Sequence, residues 1–206
     1  MTGTLNQQQR ATAAIAAFTA TGRIPQLRDA LGDGLDAGLS VNQVKEILVQ
    51  MYAYAGFPRS LNALGTFMAL LEQRRADGHT DPAGDEPKSL PAGTDMLEVG
   101  TANQTQLSGA PVSGPLFDFA PAIDRFLKTH LFGDIFSRDN LDWQSREIAT
   151  VAALAGLEGL DSQLQSHFRI ALNTGLTGAQ LRELVTGLPE HNGRTAELLN
   201  QVLTGR

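Results

Sequence analysis

The chain carries one stretch of sequence twice, and this repetition restricts its possible folds more than any other feature. Gly38-Leu39-Ser40-Val41-Asn42-Gln43-Val44-Lys45-Glu46-Ile47-Leu48-Val49 reads position for position like Gly175-Leu176-Thr177-Gly178-Ala179-Gln180-Leu181-Arg182-Glu183-Leu184-Val185-Thr186. At the same offset Gln26-Leu27 matches Gln163-Leu164, and at an offset one residue shorter Arg10-Ala11-Thr12-Ala13-Ala14 matches Arg146-Glu147-Ile148-Ala149-Thr150. The two copies keep different polar residues, Ala30 standing where the second copy has His167. A site in such a chain is therefore expected to be shared between the halves or between subunits.

Both copies read as helices. From Asn6 to Ala20 apolar and alanine positions recur at helical spacing, Gly22 and Pro25 close the segment, and Gln26 to Leu35 forms a shorter helical pattern. Ser40 can accept from the backbone N–H groups exposed in the first turn of a helix over about Val41 to Tyr54, and Thr177 repeats that role in the second copy. Gly56 stops the first of these helices, and Pro58 suits the first turn of the next, over Arg59 to Arg75, where its missing N–H costs nothing. A helical pattern resumes at Phe117 to Leu131. Asp142 then caps the second copy, with helices expected at about Trp143 to Gly156, Ser162 to Thr174, Gly178 to Gly187 and Arg194 to Leu203. Between about Ala76 and Pro115, Gly, Pro, Asp and Thr are frequent and no apolar period is sustained, so this stretch reads as a linker or meander. The expected organisation is a module over 1–75, a linker over 76–115 and a second module over 116–206. No strand alternation persists anywhere, and the fold class is all-α.

Composition narrows the function classes. The chain has 206 residues, 42% apolar and 18% charged, which is enough for a substantial core. Its net charge is −6 with no cluster of Lys or Arg, so a nucleic-acid partner is not expected. No basic segment precedes an apolar leader, and no apolar run approaches the roughly 20 residues that span a bilayer, so the expectation is a cytoplasmic protein without a membrane partner. With no Cys there is no disulfide, thiolate nucleophile or Cys-ligated metal. Four His and the carboxylates remain for acid–base work, and the spacing of the His argues no metal site.

Several runs resemble the carboxymuconolactone decarboxylase family. In the second copy these are Arg146-Glu147-Ile148-Ala149-Thr150-Val151-Ala152-Ala153-Leu154-Ala155, then Gln163-Leu164-Gln165-Ser166-His167-Phe168-Arg169 and Ala171-Leu172-Asn173-Thr174-Gly175-Leu176-Thr177. In the first copy Glu46-Ile47-Leu48, Tyr54-Ala55-Gly56-Phe57-Pro58 and Leu61-Asn62-Ala63 look like the C-terminal half of the same module. The resemblance implies an alkylhydroperoxidase-D-like helical fold, assembled as a trimer of two-module chains or a hexamer of single modules. It also implies a departure: where the family's peroxidase branch keeps a Cys pair, this chain has Leu160 and Gln163, so a Cys-dependent peroxidase is disfavoured.

In the decarboxylase branch the electrons left by carbon dioxide flow through a conjugated butenolide ring onto its carbonyl oxygen, and no organic cofactor is needed. A cation must hold substrate carboxylate, donors must stabilise the oxyanion, and an acid must return a proton to carbon. His167 is the first candidate for that acid because an imidazole titrates near neutrality, and Glu147 on the preceding helix could orient it. Glu46 is the candidate carboxylate from the other module, Arg59 a bidentate clamp, Tyr54 and Asn62 hydrogen-bond partners, and His130 a pocket-lining residue. Each has an alternative. Glu46 and Glu183 occupy equivalent positions, which fits a shared interhelical salt bridge with Arg or Lys; Tyr54 could simply pack; Arg59 could be a solvated cation. His79 and His191 lie in loop-like sequence. The leading reading is a cofactor-independent lyase acting on a small carboxylated lactone or related acid. The alternatives are a hydrolase or isomerase using the same His–Glu pocket, and a non-catalytic oligomeric binding or scaffold protein.

Overall fold

The computed structural model describes residues 4–189 and 193–205, and among them every regular element is helical. The first copy contributes α1 (Gln7–Thr21), α2 (Ile24–Asp36), α3 (Val41–Gln50), α4 (Tyr52–Ala55) and α5 (Phe57–Ala76). The middle of the chain forms α6 (Met96–Ser108), α7 (Pro115–Phe119), α8 (Pro121–Phe126) and a π-helical segment over Leu127–Ile135. The second copy supplies α9 (Trp143–Ala155), α10 (Asp161–Asn173), α11 (Gly178–Gly187) and α12 (Gly193–Thr204). No helix among the described residues is long and apolar enough to cross a membrane.

The repeat is kept down to the helix ends. Ser40 with Gln43 and Thr177 with Gln180 form reciprocal capping boxes, each satisfying two backbone donors that the first turn leaves open. Asp142 caps α9 by accepting from Ser145 N at 2.7 Å. After α2 and α10 the chain turns at Gly38 and Gly175, whose φ values of 92° and 97° lie where a β-carbon is disfavoured. Leu39 N then donates to Gly34 O and Leu176 N to Ala171 O, closing the same turn in both copies.

The copies share one core rather than having one each. Helix α1 lies against α9, and both are rich in buried alanines, Ala13, Ala16, Ala17 and Ala20 on one and Ala149, Ala152 and Ala153 on the other, which let the backbones approach closely. The surrounding cluster joins Ile15, Leu27, Ile47 and Leu48 to Ile148, Val151, Leu164 and Phe168. Each such large side chain contributes about 1.5–3 kcal/mol when removed from water. Ion pairs cross between the copies reciprocally: Glu46 on α3 meets Arg146 on α9 at 3.0 Å, and Glu183 on α11 meets Arg10 on α1 at 2.8 Å. Arg10 and Arg146 match in the repeat, as do Glu46 and Glu183. That reciprocity is what two copies facing each other across an approximate twofold axis produce.

Two expectations need correction. The stretch over 76–115, read as a linker or meander without a sustained helical period, contains α6, whose buried positions are Gly100, Gln104 and Leu107. The helical spacing is there, but a glycine and a glutamine carry most of it, so an apolar count misses it. Gly100 is required because a β-carbon there would collide with the carbonyl of Lys128 in the π-helical segment. Residues before α6 are also fixed in place: Pro82 O and Ala83 O accept from Val41 N and Asn42 N, and Lys88 N donates to Asp139. The single helix expected over Phe117 to Leu131 is broken at Ala120, which sits at φ −130° and ψ 72°. Pro121 forces that conformation on the residue before it and supplies no N–H of its own.

Candidate functional site

A cavity of about 640 Å³ lies between α10 on one side and α6, α7, α8 and the π-helical segment on the other. Its two walls differ in chemistry. Helix α10 presents Ser162, Gln163, Ser166, His167 and Arg169 beside Ile170, while the opposite wall is largely Leu116, Phe117, Ile123, Leu127, Leu131 and Phe132, to which α6 adds Gln104 and Ser108. Tyr54, from the first copy, also lines it, so the two copies build the cavity together.

His167 and Glu147 are brought together across the α9–α10 contact. The imidazole Nδ1 and Glu147 Oε2 are 2.8 Å apart, and Glu147 is fully buried. A carboxylate on Nδ1 selects the tautomer with its proton there, which leaves Nε2 as the nitrogen able to exchange a proton with a ligand. The ring of Tyr54 meets the imidazole edge-on, centroids 5.6 Å apart at 81°, and holds it from the other side. The Tyr54 hydroxyl is buried near Glu147 and Thr150 without a partner in hydrogen-bonding geometry among the described residues. Burial, reinforced by the Glu147 charge, pushes its pKa far up, so it remains a neutral donor. The second oxygen of Glu147, Oε1, is likewise buried without a partner.

Glu46 is elsewhere. Its Oε1 accepts from Arg146 Nη2 at 3.0 Å and from Arg138 Nε at 2.8 Å, and it does not line the cavity. Burial would raise this carboxyl, but the hydrogen bonds and charges of Arg138 and Arg146 outweigh it and hold the pKa below the usual value. Arg146 is wholly buried and further satisfied by Gln50 Oε1 and Arg138 O. Glu46 is thus placed as the anionic centre of an interhelical ion pair, the alternative its repeat position offered, and not as a proton-transfer group.

The remaining candidates do not converge on the cavity. Arg59 is exposed, and its guanidinium lies over Gly22 at the α1–α2 corner, where any side chain on Gly22 would collide with it. Asn62 is exposed, and its backbone carbonyl accepts from Thr66. His130 pairs with Asp134 at 2.6 Å and leans on Tyr52, on the π-helical segment but outside the cavity lining. His79 is exposed. His191 lies outside the described residues. Sequence reasoning missed Arg169, Gln163 and Ser166 as part of the site. The signal is present in the run around His167, since all three stand on the same helix within four residues of it, whereas the expected clamp, Arg59, lies beside the Gly-Phe-Pro corner. Among the described residues no cluster of three or more His, Asp or Glu is arranged to hold a metal ion.

A sequence profile described as the carboxymuconolactone decarboxylase family matches residues 1–68 and 121–199 of the chain. A curated relative, 4-carboxymuconolactone decarboxylase of Acinetobacter baylyi, is 32% identical over 83 residues, covering 37% of this chain and 61% of the relative. The chain thus matches less than two thirds of that relative's length.

Proposed function

The chain belongs to the carboxymuconolactone decarboxylase family, and from that premise we propose that it is a cofactor-independent carboxy-lyase acting on a small carboxylated lactone in the cavity that His167 lines. The observation that carries this reading is the buried Glu147–His167 pair opening onto a cavity whose polar groups gather on α10 and whose opposite wall is largely apolar. In the reaction the bond from carbon to the leaving carboxylate breaks, and its electron pair passes through the conjugated ring to the carbonyl oxygen. The proton that completes the product is returned to carbon from Nε2 of His167, while Glu147 holds Nδ1 and stabilises the imidazolium before transfer. The side-chain NH2 of Gln163, whose Oε1 accepts from the Ser162 hydroxyl, supplies a donor along the same wall for the oxygen that becomes negative, while the Ser166 hydroxyl is committed to Ser162 O. Leu160 and Gln163, at the places of the peroxidase branch's cysteines, both line the cavity, and neither offers a thiolate.

Assembly belongs to the same proposal. Helix α5 exposes Phe57, Leu61 and Met68, and α7–α8 expose Leu116, Phe119 and Phe126. Apolar groupings of this kind on a water-facing surface fit a trimer of two-module chains. Sedimentation of the purified chain tests this directly, and a monomer at micromolar concentration rejects it.

The reaction is tested by following ultraviolet absorbance of carboxymuconolactone with the wild type and His167→Ala. Turnover by the wild type, reduced about 10²–10⁴-fold in the variant, is the expected result. Absence of turnover at enzyme concentrations near those of substrate rejects the lyase reading, and undiminished turnover in the variant removes His167 as the acid.

A further inference from the structure

Arg169 is the one side chain with a permanent charge in the cavity lining, which otherwise contains no Lys, Asp or Glu. The chain as a whole carries −6, so the lining has the opposite sign to the molecule around it. The other arginines of the interior and the module contacts are already committed: Arg10 to Glu183, Arg74 to Asp36 and Asp81, and Arg138 and Arg146 to Glu46. Arg169 has no such anion among the described residues. It is exposed whereas His167 is buried, so it stands at the mouth of the cavity and the imidazole lies deeper, on the same helix.

We propose that Arg169 is the specificity-determining anchor for a carboxylate that the substrate keeps, and that the ligand class of this cavity is a ring acid bound with its carboxylate at the mouth and its ring against the apolar wall. This rests on the lyase reading for the identity of the reacting bond, but the anchor itself follows from the charge of the lining. For a substrate with two carboxylates the walls sort them. The surviving one keeps its charge throughout and gains from a guanidinium whose planar fork matches it. The departing one loses its charge as its carbon–carbon bond breaks, so the apolar wall of Leu127, Leu131 and Phe132 favours its departure. Its electron pair moves into the ring, carbon dioxide leaves, and the proton from His167 balances the product.

Calorimetric titration of the intact protein with a saturated γ-lactone bearing a single carboxylate, and with its uncharged primary amide, tests the anchor without requiring turnover. The wild type is expected to bind the acid about 10–100-fold more tightly than the amide, as a charge-assisted hydrogen bond to one arginine gives. Arg169→Leu should abolish that preference while leaving amide binding unchanged, Arg169→Lys should keep part of it, and Arg59→Leu should leave it whole. Equal binding of acid and amide by the wild type, no saturable binding of either at millimolar concentration, or a preference that survives in Arg169→Leu would overturn the proposal. An Arg169-dependent preference in a protein that does not turn over carboxymuconolactone keeps the anchor and rejects the lyase.

Discussion

The two copies present the same corner with different contents. Where α9 and α10 carry Glu147 and His167, the matching places in α1 and α2 hold Ala11 and Ala30, and both alanines are buried. They line a hollow of about 450 Å³ together with Arg10, Asp33 and Asp36. The first corner thus retains a hollow and lacks the Glu147–His167 pair. Fold and chemistry are separable here because the shared core is made of other residues: alanines at the α1–α9 contact and large aliphatics around it. Once the copies are joined in one chain, one corner can be simplified without loss of packing.

Replacing Glu147 and His167 by alanine makes the second corner a copy of the first. The double variant Glu147→Ala/His167→Ala is expected to lose about 10²–10⁴ in turnover, and no more than His167→Ala alone, because an acid and the group that orients it act as a unit. Its far-ultraviolet circular dichroism should match the wild type, since the first corner already folds with two alanines. A double variant that unfolds, or that loses far more than the single one, would show that the pair supports the core and that the corners are not equivalent.

A second comparison sets the two crossing ion pairs against each other. Glu46 and Arg146 have side-chain exposures of 2% and 0%, whereas Glu183 and Arg10 have 31% and 52%. Removing one partner of a buried pair leaves an uncompensated charge, so Glu46→Ala should destabilise by about 3–5 kcal/mol. Glu183→Ala at the equivalent place should cost about 0–1 kcal/mol, because water solvates what is left. Urea midpoints at constant slope measure both, and equal losses would show that burial is not what separates the pairs. The buried pair also sets an acid limit. The folded pKa of Glu46 is depressed below the ordinary glutamate value of 4.5, so its contribution to stability is fully present above that value and is lost as the pH falls through the lower folded pKa. The acid limb of stability should therefore lie below pH 4.5 and flatten in Glu46→Gln, while Glu183→Gln leaves it in place. An unchanged limb in Glu46→Gln would move the acid sensitivity to another carboxylate.

These contrasts also mark what the sequence discloses. The repeat, the caps at Ser40, Thr177 and Asp142, and the His167–Glu147 pairing were legible because each depends on residues at fixed local spacing or on one helix packing against the next. The shared structural role of Glu46 and Glu183 was legible as an alternative, from their equivalence alone. The cavity's far wall was not. It is built by α6, α7, α8 and the π-helical segment, where Gly100 and Gln104 replace apolar residues at the buried period and Pro121 cuts the expected helix. Arg59 and Asn62 adjoin the Gly-Phe-Pro corner in sequence, but the helix that begins there leaves both exposed and outside the cavity lining. Arg169 faces a cavity, and Arg59 does not, only because that far wall is in place.

The smallest expected effect concerns the residue that the first copy lends to the second. Tyr54 touches His167 with its ring, and its hydroxyl is buried without a partner in hydrogen-bonding geometry. Tyr54→Phe keeps the ring contact and removes an unsatisfied polar group, so stability should be unchanged or rise by less than about 1 kcal/mol. Turnover should fall by less than about tenfold, well short of the loss of about 10²–10³ that follows removal of a donor to a developing oxyanion. Thermal unfolding and steady-state rates measured on the same preparation separate the two roles. A loss above about 10² with stability intact would make the hydroxyl a donor to the reacting atoms. The site would then need both copies for its chemistry as well as its shape, and the simplified first corner would be the cost of lending Tyr54 to its partner.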